Sequence, residues 1–198
     1  MGDSARAGRA RPSRVSITRI RIGDQVNVKD FLARYCNESN MLHDLGSDLR
    51  ELPFQIEDPR LARLYDYWLS RKGSRRFPSR SDIDPLDFRY VLGHVMLVDV
   101  LRDPQRFRVR LHGSEMVRRA NYDLTGKFLD DLPVADYRDY VIDRCKGLVA
   151  DGEPILVHHN RILDGKLRQY DSLWLPFSES GVEVSMLLCA LIYDLDRR

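Results

Sequence analysis

Few residues in this chain carry the chemistry of a nucleophile, an acid–base pair or a metal ligand, and their spacing scatters them. Cys36, Cys145 and Cys189 lie far apart with no CxxC pair. That pattern offers neither a disulfide framework nor a zinc site, and it suits a reducing, cytoplasmic compartment. Ser114 follows Gly113 at the end of a strand-like run, where a nucleophile could stand, but no motif sets a histidine beside it. The expected role is a helix N-cap. Asp130 and Asp131 are adjacent, so on a turn their carboxylates point apart instead of converging. His158 and His159 are neighbours in a strand pattern, which sends one ring to each face of a sheet. The five histidines form no i, i+4 pair and no convergent set with carboxylates. GxSxG, HExxH and a phosphate-cradling glycine loop are all missing. No residue is therefore assigned to catalysis, to a metal or to a cofactor, and the chain is expected not to be an enzyme.

Any such group needs a scaffold. The chain has 198 residues, 43% hydrophobic and 31% charged, with a net charge of +2. That balance argues against a dedicated nucleic-acid binder, and no apolar run approaches the roughly 20 residues of a membrane span. Charge is uneven, however. Arg6, Arg9, Arg11, Arg14, Arg19 and Arg21 face a single acid, Asp3, near the start. Residues 1–23 read as a disordered basic leader. It is the one segment suited to touch nucleic acid or anionic lipid, and it shares its Arg-rich character with transit peptides. Residues 24–50 read as an N-terminal helical extension, with Val28, Phe31, Leu32 and Tyr35 at helical spacing.

Residues 51–198 hold the main domain. Asp58-Pro59 is a cap followed by a first-turn proline, and Leu61, Leu64, Tyr65, Trp68 and Leu69 then form one apolar stripe ending at Gly73. Asp84-Pro85 repeats the start signal. Strands are expected over 94–101 and 106–112, joined by a turn at Arg102–Gln105. A short helix, the bend Asp123-Leu124-Thr125-Gly126 and a longer helix over 137–150 follow. Three more strands are expected over 155–163, 169–177 and 184–191, the first two joined by an Asp164-Gly165 hairpin turn. The result is an α+β fold: a five-stranded antiparallel sheet, a helical insert between strands 2 and 3, and an N-terminal amphipathic helix covering the outer sheet face.

The stretches "LYDYWLSRKGSRRFPSRSDIDPLDF", "VLGHVMLVDVL", "RFRVRLHGSEM", "DLTGKFLDDL", "YDSLWLPFSESG" and "MLLCAL" resemble the standalone PAS domain proteins of alphaproteobacteria, which are chains of about this size. The likeness runs collinear through residues 58–195. It implies that Leu124-Thr125-Gly126 is a structural bend, and that a small molecule can sit between sheet and insert. It does not carry over a known cofactor site. There is no Asn-Cys-Arg tripeptide for a photoactive flavin, since Cys145 sits in "DRCKG", and the helix over 137–150 has no histidine for haem.

Strand alternation turns Phe107, Val109 and Leu111 towards the insert, with Tyr140, Val141 and Leu148 opposite. Leu173 and Leu175 complete this candidate pocket lining. Trp174 is placed on the other face, where it would join Leu61, Leu64, Tyr65 and Trp68 as an interface. The interior is either a filled core or a cavity for an apolar metabolite. Two functions remain open. One is a non-catalytic signalling module working through a homodimer or a partner protein, biased by a small ligand. The other is a small-molecule binding protein whose main role is capture of an apolar metabolite, haem or flavin.

Overall fold

The fold starts at the capped helix. The computed structural model describes residues 15–19, 56–163 and 166–194, with side chains for 56–160 and 169–194. The helix expected over 26–45, the extension 24–50 that contains it and the Asp164-Gly165 turn lie outside the described residues. Helix α1 (Pro59–Lys72) begins where the Asp58 carboxylate accepts the Arg60 and Leu61 amides at 2.9 and 3.3 Å. It stops where the Gly73 amide, at φ +55°, donates to the Leu69 carbonyl. A side chain there would be strained, so glycine suits the stop.

Five antiparallel strands form the expected sheet: β2 (Val95–Leu101), β3 (Arg106–His112), β4 (Ile155–Leu163), β5 (Lys166–Phe177) and β6 (Met186–Tyr193). A sixth, β1 (Val15–Arg19), pairs antiparallel with β4 and gives the order β1-β4-β5-β6-β2-β3. This corrects the reading of 1–23 as wholly disordered: Val15, Ile17 and Thr18 are β-branched, and β4 offers them an open edge. The insert falls between β3 and β4, the second and third of the five expected strands. It contains α2 (Ser114–Ala120), a single 3₁₀ turn at Leu129–Asp131 and α3 (Ala135–Asp151). Ser114 is the first residue of α2. The cap position is Gly113 and no side chain caps it, so the expected N-cap role of Ser114 is also corrected.

Each face of the sheet carries a buried apolar cluster. On the inner face Val98, Val100, Phe107 and Val109 pack against Val141, Cys145 and Leu148 of α3. On the outer face Leu61, Leu64 and Trp68 lie on Leu156, Leu173, Leu175, Phe177 and Leu188, and the Trp68 indole N–H donates to the Pro176 carbonyl at 2.8 Å. The covering helix is as expected; its reuse as an interface is not. Leu61, Leu64 and Trp68 are at most 1% exposed within their own chain, and Tyr65 is half-buried beside them. The stripe is core.

Two face assignments are reversed. Trp174 belongs to the inner cluster and Leu173 and Leu175 to the outer one. The segment Leu173–Phe177 is apolar at every position and buried on both sides, so alternation shows two faces without labelling them. Leu111 is turned outward by a bulge in β3. Val98 pairs with Val109 while Leu97 pairs with Leu111, which leaves Arg110 as an extra residue and inverts the alternation beyond it.

Candidate functional site

The bulge that expels Leu111 delivers His112 to the inner face, opposite Met96. There it lines a cavity of about 50 Å³ between sheet and insert. The sheet also contributes His159, Tyr170, Ser172 and Trp174, and the insert contributes Tyr122, Leu124, Tyr137, Tyr140, Val141 and Arg144. On α3 the polar-aromatic contributors Tyr137, Tyr140 and Arg144 fall at i, i+3 and i+7, one helix face.

A hydrogen-bond chain fixes the sheet side. Ser172 Oγ accepts the Trp174 indole N–H at 3.1 Å and lies 2.8 Å from His159 Nε2. The His159 ring stacks on Tyr170 with centroids 4.2 Å apart and meets Tyr140 edge-on at 6.2 Å. On the insert side the Arg144 guanidinium donates to the Tyr140 hydroxyl at 2.9 Å. Burial pushes the Tyr137 phenol well above the ordinary tyrosine range, and the neighbouring Tyr170 phenol adds to this. The lining is thus aromatic with several fixed donors and acceptors, and among the described residues no carboxylate lines it.

The Thr-Gly bend clamps this pocket. Asp123 Oδ1 accepts the Thr125 amide at 2.8 Å, and Thr125 Oγ1 accepts the His112 amide at 3.2 Å. The Gly126 amide donates to the Val109 carbonyl at 2.8 Å, with φ at +80°. The Leu124 amide donates to His112 Nδ1 at 3.2 Å, which places the proton of the neutral ring on Nε2. The bend is architecture, and Leu124 is also a wall of the cavity.

This network makes a pH prediction. Burial holds His112 below its reference value of 6.5, while the Asp123 carboxylate pulls the other way. The folded state therefore favours the neutral ring. Its stabilisation is complete above 6.5 and is lost as pH falls from there through the lowered folded value. Thermal melts between pH 5 and 8 should show this loss, and His112→Gln should flatten the slope below pH 6.5. An unchanged slope would refute the assignment.

The remaining candidate groups point elsewhere. His158 faces outward, with Nδ1 2.6 Å from Asp171 Oδ1. Asp130 pairs with Arg106 at 3.3 Å, whereas Asp131 accepts the Phe128 amide, so the two carboxylates diverge as expected. Cys145 and Cys189 are buried, and burial pushes both thiols far above the ordinary range, away from nucleophilic use.

A family model described as "PAS domain" matches residues 56–192. The chain belongs to the PAS domain family. Among solved structures it is similar to an RNA-binding light-oxygen-voltage receptor, at 10% identity and a TM-score of 0.47. The match covers 95% of this chain and 40% of that one. No curated protein matches the chain significantly by sequence. No helix among the described residues of this PAS domain is long and apolar enough to cross a membrane.

Of the residues expected to line the PAS pocket, Tyr140 and Val141 do so. Phe107, Val109 and Leu148 lie in the adjoining inner core, while Leu111, Leu173 and Leu175 are outside it. His112, Tyr137, Arg144, His159, Tyr170 and Trp174 were missed as lining. The Tyr137-Tyr140-Arg144 spacing was readable in advance. His112 was not, because nothing in "RVRLHG" marks the bulge.

Proposed function

We propose that this PAS domain is a non-catalytic sensory module whose inner pocket, when occupied, changes how the exposed side of α1 is presented to a protein partner or a second copy. The observation that supports this most is the sharing of strands by pocket and helix. Ser172 and Trp174 line the cavity while Leu173 and Leu175, between and beside them on β5, carry α1 on the opposite face. Any ligand that shifts the β4–β5 pair must therefore move the seat of α1, and a differential affinity for two packings is all a switch requires. Among the described residues the thiols are buried and the Asp130 and Asp131 carboxylates diverge, which supports the non-catalytic reading.

The aromatic lining, with Arg144 and histidine nitrogens at hand, favours a small planar molecule with hydrogen-bonding edges over a purely apolar one. A space of about 50 Å³ holds a few waters and lies far below the hundreds of cubic ångströms of drug-sized pockets. Haem and flavin capture therefore finds no support in this packing. Native mass spectrometry of the purified chain tests the reading. The expected result is a small bound mass, or a subunit count that changes when Trp174→Ala enlarges the pocket and a planar acid such as benzoate is added. A fixed subunit count with no bound mass under either condition would refute it.

A further inference from the structure

The outer face has a second concavity, of about 260 Å³, to which α1 contributes no residue. It is built around Asp99, whose side chain is 10% exposed. Arg110 grips this carboxylate with Nε and a terminal nitrogen, each at 2.9 Å, and Arg108 adds a third contact at 3.1 Å. One carboxylate thus anchors two guanidiniums, whose side chains remain 46% and 37% exposed for Arg108 and Arg110. Arg80 enters the same groove from the 3₁₀ turn Arg80–Asp82. It is exposed, and its guanidinium makes no hydrogen bond or ion pair among the described residues.

The donors outnumber the acceptors. A guanidinium carries five N–H groups, and the Asp99 oxygens use only a minority of those on Arg108 and Arg110. Ser185 Oγ, also in the groove, accepts the Glu179 amide at 3.1 Å, which leaves its own O–H to donate. Against three arginines stand Asp99, which already accepts three guanidinium N–H groups, and Glu179 at the exposed rim. We propose that this groove is a binding site for a small oxyanion of phosphate or carboxylate chemistry, held between Arg80 and the Arg108–Arg110 pair. Asp99 is the positioning residue: it fixes the two forks in the orientation that suits bidentate recognition. The bulge contributes as well, because Arg110 is the residue it leaves without a cross-strand partner.

The site lies across the sheet from the inner pocket, so its failure would leave the sensory reading standing. The test is calorimetric titration of the full chain at low ionic strength with inorganic phosphate and, separately, citrate. Chloride at matched ionic strength is the control. Saturable one-to-one binding of phosphate, citrate or both is expected, and the tighter of the two identifies the preferred chemistry. Arg80→Gln, which removes no hydrogen bond or ion pair among the described residues, should weaken binding about tenfold. Arg108→Lys should also weaken it, since it keeps the charge and loses the fork. Glu179→Gln should tighten it by removing a like charge from the rim. Heats equal to those of chloride, or affinities indifferent to Arg80 and Arg108, would overturn the proposal.

Discussion

Trp68→Ala should lower the unfolding free energy by about 3–5 kcal/mol, the range for truncating a large buried aromatic. The side chain is 1% exposed and lies among Leu173, Leu175, Phe177 and Leu188, so no neighbour can collapse into the hole without breaking strand packing. A second loss is polar. The Pro176 carbonyl receives the indole N–H, and truncation leaves that buried acceptor unmatched. Trp68→Phe separates the two effects. It keeps most of the apolar area and loses the donor, so its cost should be about 1–3 kcal/mol. Chemical denaturation of the three proteins measures both. Because the stripe is buried within its own chain, the midpoints should not depend on protein concentration. A strong concentration dependence would show that α1 is exchanged between copies, and a loss under 1 kcal/mol for Trp68→Ala would show that the helix does not seal the sheet.

What could be read in advance follows from how local each signal is. The capped start of α1, its stripe and its glycine stop are written within 16 residues, and each depends on neighbours a turn away. The order of five strands and the place of the insert were equally readable, because turn residues separate clear alternating runs. The failures all involve information from distant chain. Which face of β5 meets the insert depends on its pairing with β4 and β6, and a segment apolar on both faces does not record it. The bulge at Arg110 depends on how β2 and β3 close around Asp99, two residues with opposite charge whose pairing strand alternation alone does not reveal. β1 was hidden by composition: the surrounding arginines speak for solvation, while Val15, Ile17 and Thr18 speak for a strand. The candidate site suffered most, since one inverted register exchanges Leu111 for His112 and a hydrophobic wall for a titratable one.

Gly113→Ala tests the joint on which that register depends. Gly113 closes β3 and opens α2, and its amide donates to the Val95 carbonyl at 2.9 Å. A methyl group added here would meet backbone: 2.7 Å from the Gly93 carbonyl carbon, 2.8 Å from the Val95 oxygen, and closer still to the Gly93 oxygen. Backbone cannot rotate aside as a side chain can, so the 3₁₀ turn Leu92–His94 and the start of β2 must shift together. The expected cost is about 3 kcal/mol or more, at the upper end for overpacking. Gly126 supplies the contrast. It sits at φ +80° with open space where a Cβ would go, so Gly126→Ala should cost only about 1 kcal/mol, the strain of a left-handed backbone. The two glycines of this segment thus act for different reasons, one for room and one for torsion. Comparable losses at both positions would mean that the close approach of Gly113 to Gly93 is not what holds His112 and the Thr125 bend over the pocket.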